Sequence, residues 1–409
     1  TSWTDLSSGL RLAQIYRLST SATNPSIVYS GWQDNGSNRW DGTSYTQVYG
    51  ADGMEALVDY TNSNIVFIET QYGSIYKSTN GGSSFTYVAP SSGPWVTTYI
   101  MDPVDHNKMY AGYATLYKST NNGSNWSVLA SNLYGGNYCT AIVVAPSNTN
   151  TIYTSSLGLM KKTTNGAAPF TDITAGLPVA SAGINYIAVS NTDPNSVWVA
   201  FSGYSSGNKV FKSTNGGSSW TNVSGTLPNL PVNTIVYENG SSNRVYIGTD
   251  IGVYYRDDNT ADWIFYNDGL PNVMVHELEI NYTSDKLVAA TYGRGIWQSD
   301  LASNAPTASI TTTPFAASTF CPGENITVAF TAMGSYDPAN NFIAQLSSST
   351  GSFSSPTVIG SIVGTSSGNI NAAIPSTASG TGYRIRVIAT NPATTGTDNG
   401  SDLLITCPV

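Results

Sequence analysis

Five carboxylates stand in segments rich in aromatic and amide side chains: Asp34, Asp52, Glu55, Glu69 and Asp250. Around them in sequence or in repeat phase are Trp32, Gln33, Tyr72, Trp95, Tyr113, Tyr204, Tyr292 and Arg294. Aromatic faces offer a stacking surface for sugar rings and planar amides offer paired hydrogen bonds, so this set predicts a ligand-binding face for an extracellular glycan or protein partner. The carboxylates raise a second chemistry. A glycosidase needs two of them flanking one bond, about 5–5.5 Å apart for retention and 6.5–9.5 Å for inversion. Asp34, Asp250 and Glu69 are the candidates for such catalysis. Asp34 is the sharpest, because Trp32-Gln-Asp-Asn-Gly36 departs from its counterparts elsewhere in the chain, although Asp-Asn-Gly is also a turn former.

Other chemistries find less support. His106 and His276 are far apart and no Cys/His spacing suits zinc, so no metal site and no cofactor is expected. The acidic loops around Asp34 and Asp250 would admit Ca²⁺, but neither has dedicated ligand spacing. His106, in Asp102-Pro-Val-Asp-His106, reads as an exposed turn residue. Gly-x-Ser-x-Gly occurs at Gly203–Gly207 and Gly364–Gly368, yet neither run leads into a helix, so both read as loops. Runs such as Asn80-Gly-Gly82 are hairpin turns and not phosphate cradles. With 10% charged residues and a formal charge of −9, the chain carries no basic footprint for nucleic acid. No run of eighteen apolar residues predicts membrane insertion. No signal peptide opens at Thr1, so the chain reads as mature or trimmed, and the low charge with abundant Ser, Thr, Asn and Gly suits a secreted or cell-surface protein.

The elements that must position these residues repeat. Ile75-Tyr-Lys-Ser-Thr-Asn-Gly-Gly-Ser-Ser-Phe85 returns as Leu116–Trp126 and Val210–Trp220, more weakly as Met160–Phe170, and in degenerate form at Asn38–Tyr45 and Val253–Trp263. The motif phases fall at residues 38, 78, 119, 163, 213, 256 and 299. Each unit holds an apolar first strand, a polar turn, a second strand such as Ser196-Val-Trp198, the motif strand and an outer strand opening on an aromatic. Four strands per repeat is the pattern of a propeller blade. The seventh copy stops after Gly295-Ile-Trp-Gln-Ser-Asp300, while Trp3-Thr-Asp-Leu-Ser-Ser-Gly-Leu10 matches Trp220–Leu227 and Phe170–Leu177. Residues 1–301 are therefore expected to form an all-β, seven-bladed β-propeller whose last blade is closed by residues 1–10, which leaves no open sheet edge. In that geometry the loop after each second strand and the approach to each first strand share one face around the channel. The carboxylates and aromatics named above lie in those segments, with Arg11, Tyr138, Asn185, His276 and Glu277.

Ser78, Asn80, Gly82, Ser84 and Phe85, and likewise Ser213, Asn215, Gly217, Ser219 and Trp220, resemble the Asp-box (Ser-x-Asp-x-Gly-x-Thr-Trp) of BNR-repeat proteins. That group includes sialidases, xyloglucanase-type glycoside hydrolases and the sortilin ectodomain. The regular copies here carry Asn where the family usually has Asp. The resemblance implies the propeller fold, with the boxes on the rim face away from any ligand. The residue types agree with a structural role: Asn binds nearby amides and Gly accepts positive φ. A sialidase would need an arginine cluster, and the arginines here are dispersed: Arg39 and Arg256 fall in the outward motif, and Arg244 opens a second strand. Xyloglucanase-like enzymes use a cleft between two propellers, and this chain is expected to hold one.

The repeat stops at Ser299–Pro306. Residues 302–409 then show short strands between turn signals, among them Ile326–Thr331, Phe342–Leu346 and Tyr383–Ile388, the pattern of an Ig-like β-sandwich. In Gly382-Tyr-Arg-Ile-Arg-Val387 alternation sends Tyr383, Ile385 and Val387 inward. Phe320-Cys-Pro-Gly323, Phe342–Ser347, Gly382–Arg386 and Asp398–Asp402 resemble Ig-like modules of large proteins secreted by Bacteroidetes, which usually leave by the type IX route. That likeness implies a spacer, with further Ig-like modules in a longer precursor. Cys321 and Cys407 bracket the module and could pair, whereas Cys139 lies in an apolar run and reads as a buried thiol. The composite expectation is a recognition or adhesion protein that binds at the channel face. The alternatives are a glycoside hydrolase or lyase acting there, and a structural part of a surface assembly.

Overall fold

The computed structural model describes residues 12–302, 308–334 and 336–407. They form two compact units: one runs to Trp263 and over Leu270–Leu301, the other comprises Ile264–Gly269 and the chain from Ala302 onward. No helix among the described residues is long and apolar enough to cross a membrane.

In the first unit, antiparallel sheets follow one another in chain order. The first five each have four strands; within this unit the sixth has Val232–Tyr237, Val245–Thr249 and Gly252–Arg256, and the last has Val275–Asn281, Lys286–Thr291 and Gly295–Asp300 among the described residues. The expected partner of Gly295–Asp300, Trp3–Leu10, lies outside the described residues. Each sheet's first strand rests on the next sheet's first strand: Ile15–Thr20 on Gly53–Val58, then Thr98–Met101, Ala141–Val144, Ile184–Val189, Val232–Tyr237 and Val275–Asn281, which returns to Ile15–Thr20. The sheets thus close into a ring with their first strands innermost, the arrangement of a β-propeller. At the closure Glu277 Oε2 accepts the Leu18 amide at 2.6 Å and Glu279 Oε2 accepts the Thr20 amide at 2.7 Å. Ile15, Leu18 and Val28 pack there against Val288 and Ala290.

Second strands are rich in apolar residues and covered on both faces. Val197–Phe201, Val66–Thr70 and Val245–Thr249 are buried at every residue. Outer strands such as Thr86–Tyr87 and Thr221–Asn222 are short and exposed. The repeat motif joins one sheet to the next. Ser213 Oγ accepts the Gly217 amide at 2.9 Å and donates to Asn215 Oδ1 at 2.8 Å, and Asn215 Oδ1 also accepts the Ser219 amide at 2.9 Å. The same set recurs at Ser78, Asn80, Gly82 and Ser84. Gly217 has φ +85, and a Cβ there would meet Ile173 Cδ1 of the preceding sheet at 2.6 Å. Each box tryptophan donates its Nε1 hydrogen to the same repeat position one sheet back: Trp126 to Val88 O, Trp220 to Ile173 O and Trp263 to Val223 O, at 2.8, 2.9 and 2.7 Å. The motif lysine lies over a second-strand aromatic and reaches the next box, as Lys212 does over Trp198 (4.9 Å) toward Asp258 Oδ1 (3.3 Å). One turn motif therefore serves as hairpin and as inter-sheet clamp.

His106 departs from the expected exposed turn. Its Nδ1 lies 2.9 Å from Asp59 Oδ2, which also accepts Asn122 Nδ2 at 2.9 Å, because the turns of consecutive sheets abut at this end. Cys139 is buried as expected, and burial pushes its thiol up to about 11.

The second unit is all-β as well. A seven-stranded sheet runs in the order Thr357–Val363, Asn341–Leu346, Ile385–Thr390, Ala393–Asp398, Ser309–Thr312, Asn325–Met333, Gly368–Ala373, with a three-stranded sheet of Thr319–Phe320, Leu403–Ile405 and Gly380–Tyr383. Its outermost strands approach each other: a Cβ on Gly360 would meet Asn371 O at 2.4 Å. Phe330, Phe342, Ile370, Ile385 and Val387 form the core, so Ile385 and Val387 point inward as their alternation predicts. Cys321 and Cys407 are disulfide-bonded.

Candidate functional site

At one end of the ring the innermost strands break register. In the first, fifth, sixth and seventh sheets a bulge falls at the same place, between Ile15 and Arg17, Ile184 and Tyr186, Val232 and Thr234, and Val275 and Glu277. A bulge leaves one residue unpaired and re-aims its side chain. The residues so released are Tyr16, Asn185, Asn233 and His276.

Tyr16 is the hub of an aromatic cluster at this mouth. Its ring lies 6.3 Å from His276 and 5.7 Å from Tyr292, which in turn lie 4.7 Å apart. Its hydroxyl donates to Gln33 Oε1 at 3.1 Å and accepts Trp95 Nε1 at 3.3 Å. Tyr72 meets Trp95 edge to face at 5.3 Å and 83°. Both rings keep much of their surface open, 60% for Tyr72 and 41% for Trp95. Beside them Asp52 accepts the Asp34 amide through Oδ1 and Gln71 Nε2 at 2.6 Å through Oδ2. Asp34, Ala51 and Tyr72 all have left-handed backbone, with φ of 59, 69 and 64. Such conformations cost roughly 1–2 kcal/mol per residue and concentrate at functional sites. Burial, then the Arg17 charge, holds His276 down to about 4, so it is neutral at physiological pH.

A second, smaller cluster stands on the fifth and sixth sheets. Asp250 Oδ1 accepts Asn233 Nδ2 at 3.0 Å and its Oδ2 accepts the Tyr204 hydroxyl at 3.3 Å. Asn185 Nδ2 donates to Val232 O at 3.0 Å. Tyr204 is 67% exposed.

Below the mouth the channel wall gathers Arg17, Glu55, Tyr99, Tyr186, Glu277 and Glu279 around a cavity of about 140 Å³. That holds a few waters at ~30 Å³ each and no sugar chain. Arg17 Nε lies 3.5 Å from Glu55 Oε2, and Tyr186 donates to Glu277 Oε1 at 3.0 Å. Glu69, behind Glu55, accepts the Thr97 amide at 2.8 Å and the Glu55 amide at 3.2 Å. Burial raises all four glutamates: Glu69 and Glu279 to about 8, Glu55 well above its ordinary range with help from Glu277, and Glu277 more modestly because Arg17 opposes the rise.

The sequence-predicted residues divide. Gln33, Asp34, Tyr72, Trp95 and Tyr292 meet at the mouth, with Asp52 beside them. Tyr204 and Asp250 meet in the second cluster. Glu55 lines the channel cavity and Glu69 is buried behind it. Tyr113 is 1% exposed and its hydroxyl donates to Gly73 O at 2.8 Å, so it supports the Tyr72 loop from inside. Strand alternation explains this, since Met109, Ala111 and Tyr113 share one face. Trp32 shares its face with Val28 and, like Arg294, lies beside Ile296 in the packing of the first and seventh sheets rather than with the mouth residues. Tyr16 and Asn233, both released by bulges, are residues that sequence reading missed. Among the described residues, no group of three or more His, Cys, Asp or Glu side chains is arranged to hold a metal ion.

No family model matches the chain, and no curated protein does. Solved structures do. A GH74 xyloglucanase from Xanthomonas campestris superposes with a TM-score of 0.57 at 13% identity, over 78% of this chain and 58% of that one. An ancestral GH74 enzyme gives 0.59 at 16% identity, over 98% and 60%. YCF48 from Cyanidioschyzon merolae gives 0.54 at 12% identity, over 75% and 100%. This chain thus spans 58–60% of the two GH74 structures. At such identities the likeness is one of fold: an all-β chain whose four-stranded antiparallel sheets are those of a β-propeller.

Proposed function

We propose that this chain is an extracellular recognition protein that binds a glycan at the channel mouth of a seven-bladed propeller, with an Ig-like module as spacer. The observation that carries the reading is the exposed Tyr72–Trp95 corner joined through Tyr16 to Gln33 and Tyr292. Sugar rings stack on such faces, and the amides of Gln33 and Gln71 suit their hydroxyls. The glutamate-lined cavity below is too small for the ligand, so the ligand lies across the mouth. The Cys321–Cys407 disulfide agrees with an oxidising compartment.

Hydrolysis is the second reading, favoured by one observation. Asp34 and Asp52 come together beside the aromatic corner. They do so through one carboxylate bound to the other residue's amide, from adjoining loops on one side of the mouth, whereas hydrolysis needs carboxylates flanking a bond. Asp250, the remaining mouth carboxylate among the predicted candidates, belongs to the fifth and sixth sheets. A polysaccharide panel scored for retention and for released product separates the readings. Retention without product is expected. Product would establish the hydrolase, and no retention by any glycan would sink both.

A further inference from the structure

We infer that the glycan taken at this mouth carries free amino groups. The inference rests on the glycan reading above and adds the ligand's charge. Three observations lead to it.

The first is what stands next to the open rings. An aromatic face attracts a cation through its negative quadrupole, and a neighbouring carboxylate adds to that attraction. Tyr72 and Trp95 form an open corner, and Asp34 and Asp52 lie on the adjoining loops. The Asp34 carboxylate is exposed and accepts no hydrogen bond among the described residues. A neutral sugar meets it only as a hydrogen-bond acceptor, an ammonium gains the charge attraction as well, and a uronate or sulfate is repelled by it.

The second is what is missing opposite. Arg17 is already engaged by Glu55 and faces Glu277, and Arg294, two residues past Tyr292, lies beside Ile296 and Trp297. His276 is neutral. Among the described residues of the cluster, no lysine or arginine stands ready for an anionic sugar.

The third is recurrence. The second cluster, on other sheets, again sets an exposed tyrosine against a carboxylate: Asp250 accepts the Tyr204 hydroxyl on one oxygen and Asn233 Nδ2 on the other, with the buried Lys209 ammonium, held by Gly203 O, within reach of its charge. A polymer crossing the mouth would meet the same pairing of ring and carboxylate at both ends. Repeated amino sugars match that pattern, as one isolated charge would not.

The test compares the full chain's affinity for glucosamine oligomers with that for N-acetylglucosamine oligomers of the same length at mildly acid pH. The backbone is shared and only the ammonium differs. At low salt the free amine should bind roughly tenfold tighter or more, and the preference should fade as salt rises. Asp34→Asn should reduce the preference, weakening the free-amine oligomer severalfold more than the acetylated one. Asp52→Asn, which also disturbs the Gln71 contact, serves as the second variant. Equal or tighter binding of the acetylated or an uncharged oligomer would overturn the inference and leave the glycan reading intact. Capture of lysine-rich peptides without any oligosaccharide would overturn both.

Discussion

The two ends of each propeller sheet are built on opposite plans. At the turn end the same residues return sheet after sheet, and their hydrogen-bonding groups are used on one another. Ser213, Asn215 and Ser219 close on themselves just as Ser78, Asn80 and Ser84 do. At the mouth end the loops differ, rings stand open, and Asp34, Ala51 and Tyr72 hold left-handed backbone. Self-satisfied turns hold sheets together and leave little to offer a partner. Open rings and strained loops do little for folding, so binding is the better account of them.

Several measurements could break or sharpen that contrast. The largest effect is expected from Gly217→Val. It forces a β-branched residue to φ +85 and drives a Cβ into Ile173, which should cost roughly 3–4 kcal/mol by summing strain and overpacking. Chemical denaturation reads this, and a change below ~1 kcal/mol would undo the clamp argument.

The channel wall between the two ends should give the next largest signal. Glu69 and Glu279 keep their protons to about 8 in the folded chain, against 4.5 when exposed. Their contribution is therefore full below 4.5 and is lost as pH rises through 8, on the order of a few kcal/mol. The melting midpoint should be lower at about pH 9 than at about pH 5, and Glu69→Gln should flatten the curve. A midpoint that rises over that window would contradict the buried-glutamate account.

Tyr72 then offers a finer cut. Tyr72→Gly should be more stable than Tyr72→Ala by about 1 kcal/mol, since glycine accepts φ 64 without penalty. Both variants should bind glycan more weakly than the parent. Were alanine the more stable of the two, the strain assigned to this loop would be absent.

The smallest change belongs to the rim. Lys212→Met keeps the packing stem over Trp198 but removes the charge from Trp198 and Asp258, for roughly 1 kcal/mol at most. Binding should be untouched.

The repeat made the sheets and the clamping turns readable, because each motif copy must meet the same neighbours. Much of the mouth could be listed but not assembled. Trp32 and Gln33 are adjacent, yet strand alternation sends Trp32 toward Val28 and leaves Gln33 to reach Tyr16. Tyr113 has the same type as Tyr72 but falls in phase with Met109 and Ala111, so it is buried. Tyr16 depends on a bulge, which appears only once the first two strands are set in register. In the second unit Ala393–Asp398 carries no apolar alternation, and its strand forms through pairing with Ile385–Thr390.

The most direct test exchanges two tryptophans, one from each end. Trp95→Ala and Trp220→Ala would be measured side by side for retention on the best polysaccharide of the panel and for unfolding free energy. Trp95→Ala should lose at least roughly tenfold in affinity with stability within ~0.5 kcal/mol of the parent, as for an exposed ring. Trp220→Ala should lose roughly 3 kcal/mol of stability and keep full affinity while folded. Full retention by Trp95→Ala would contradict the placement of the binding site at the mouth.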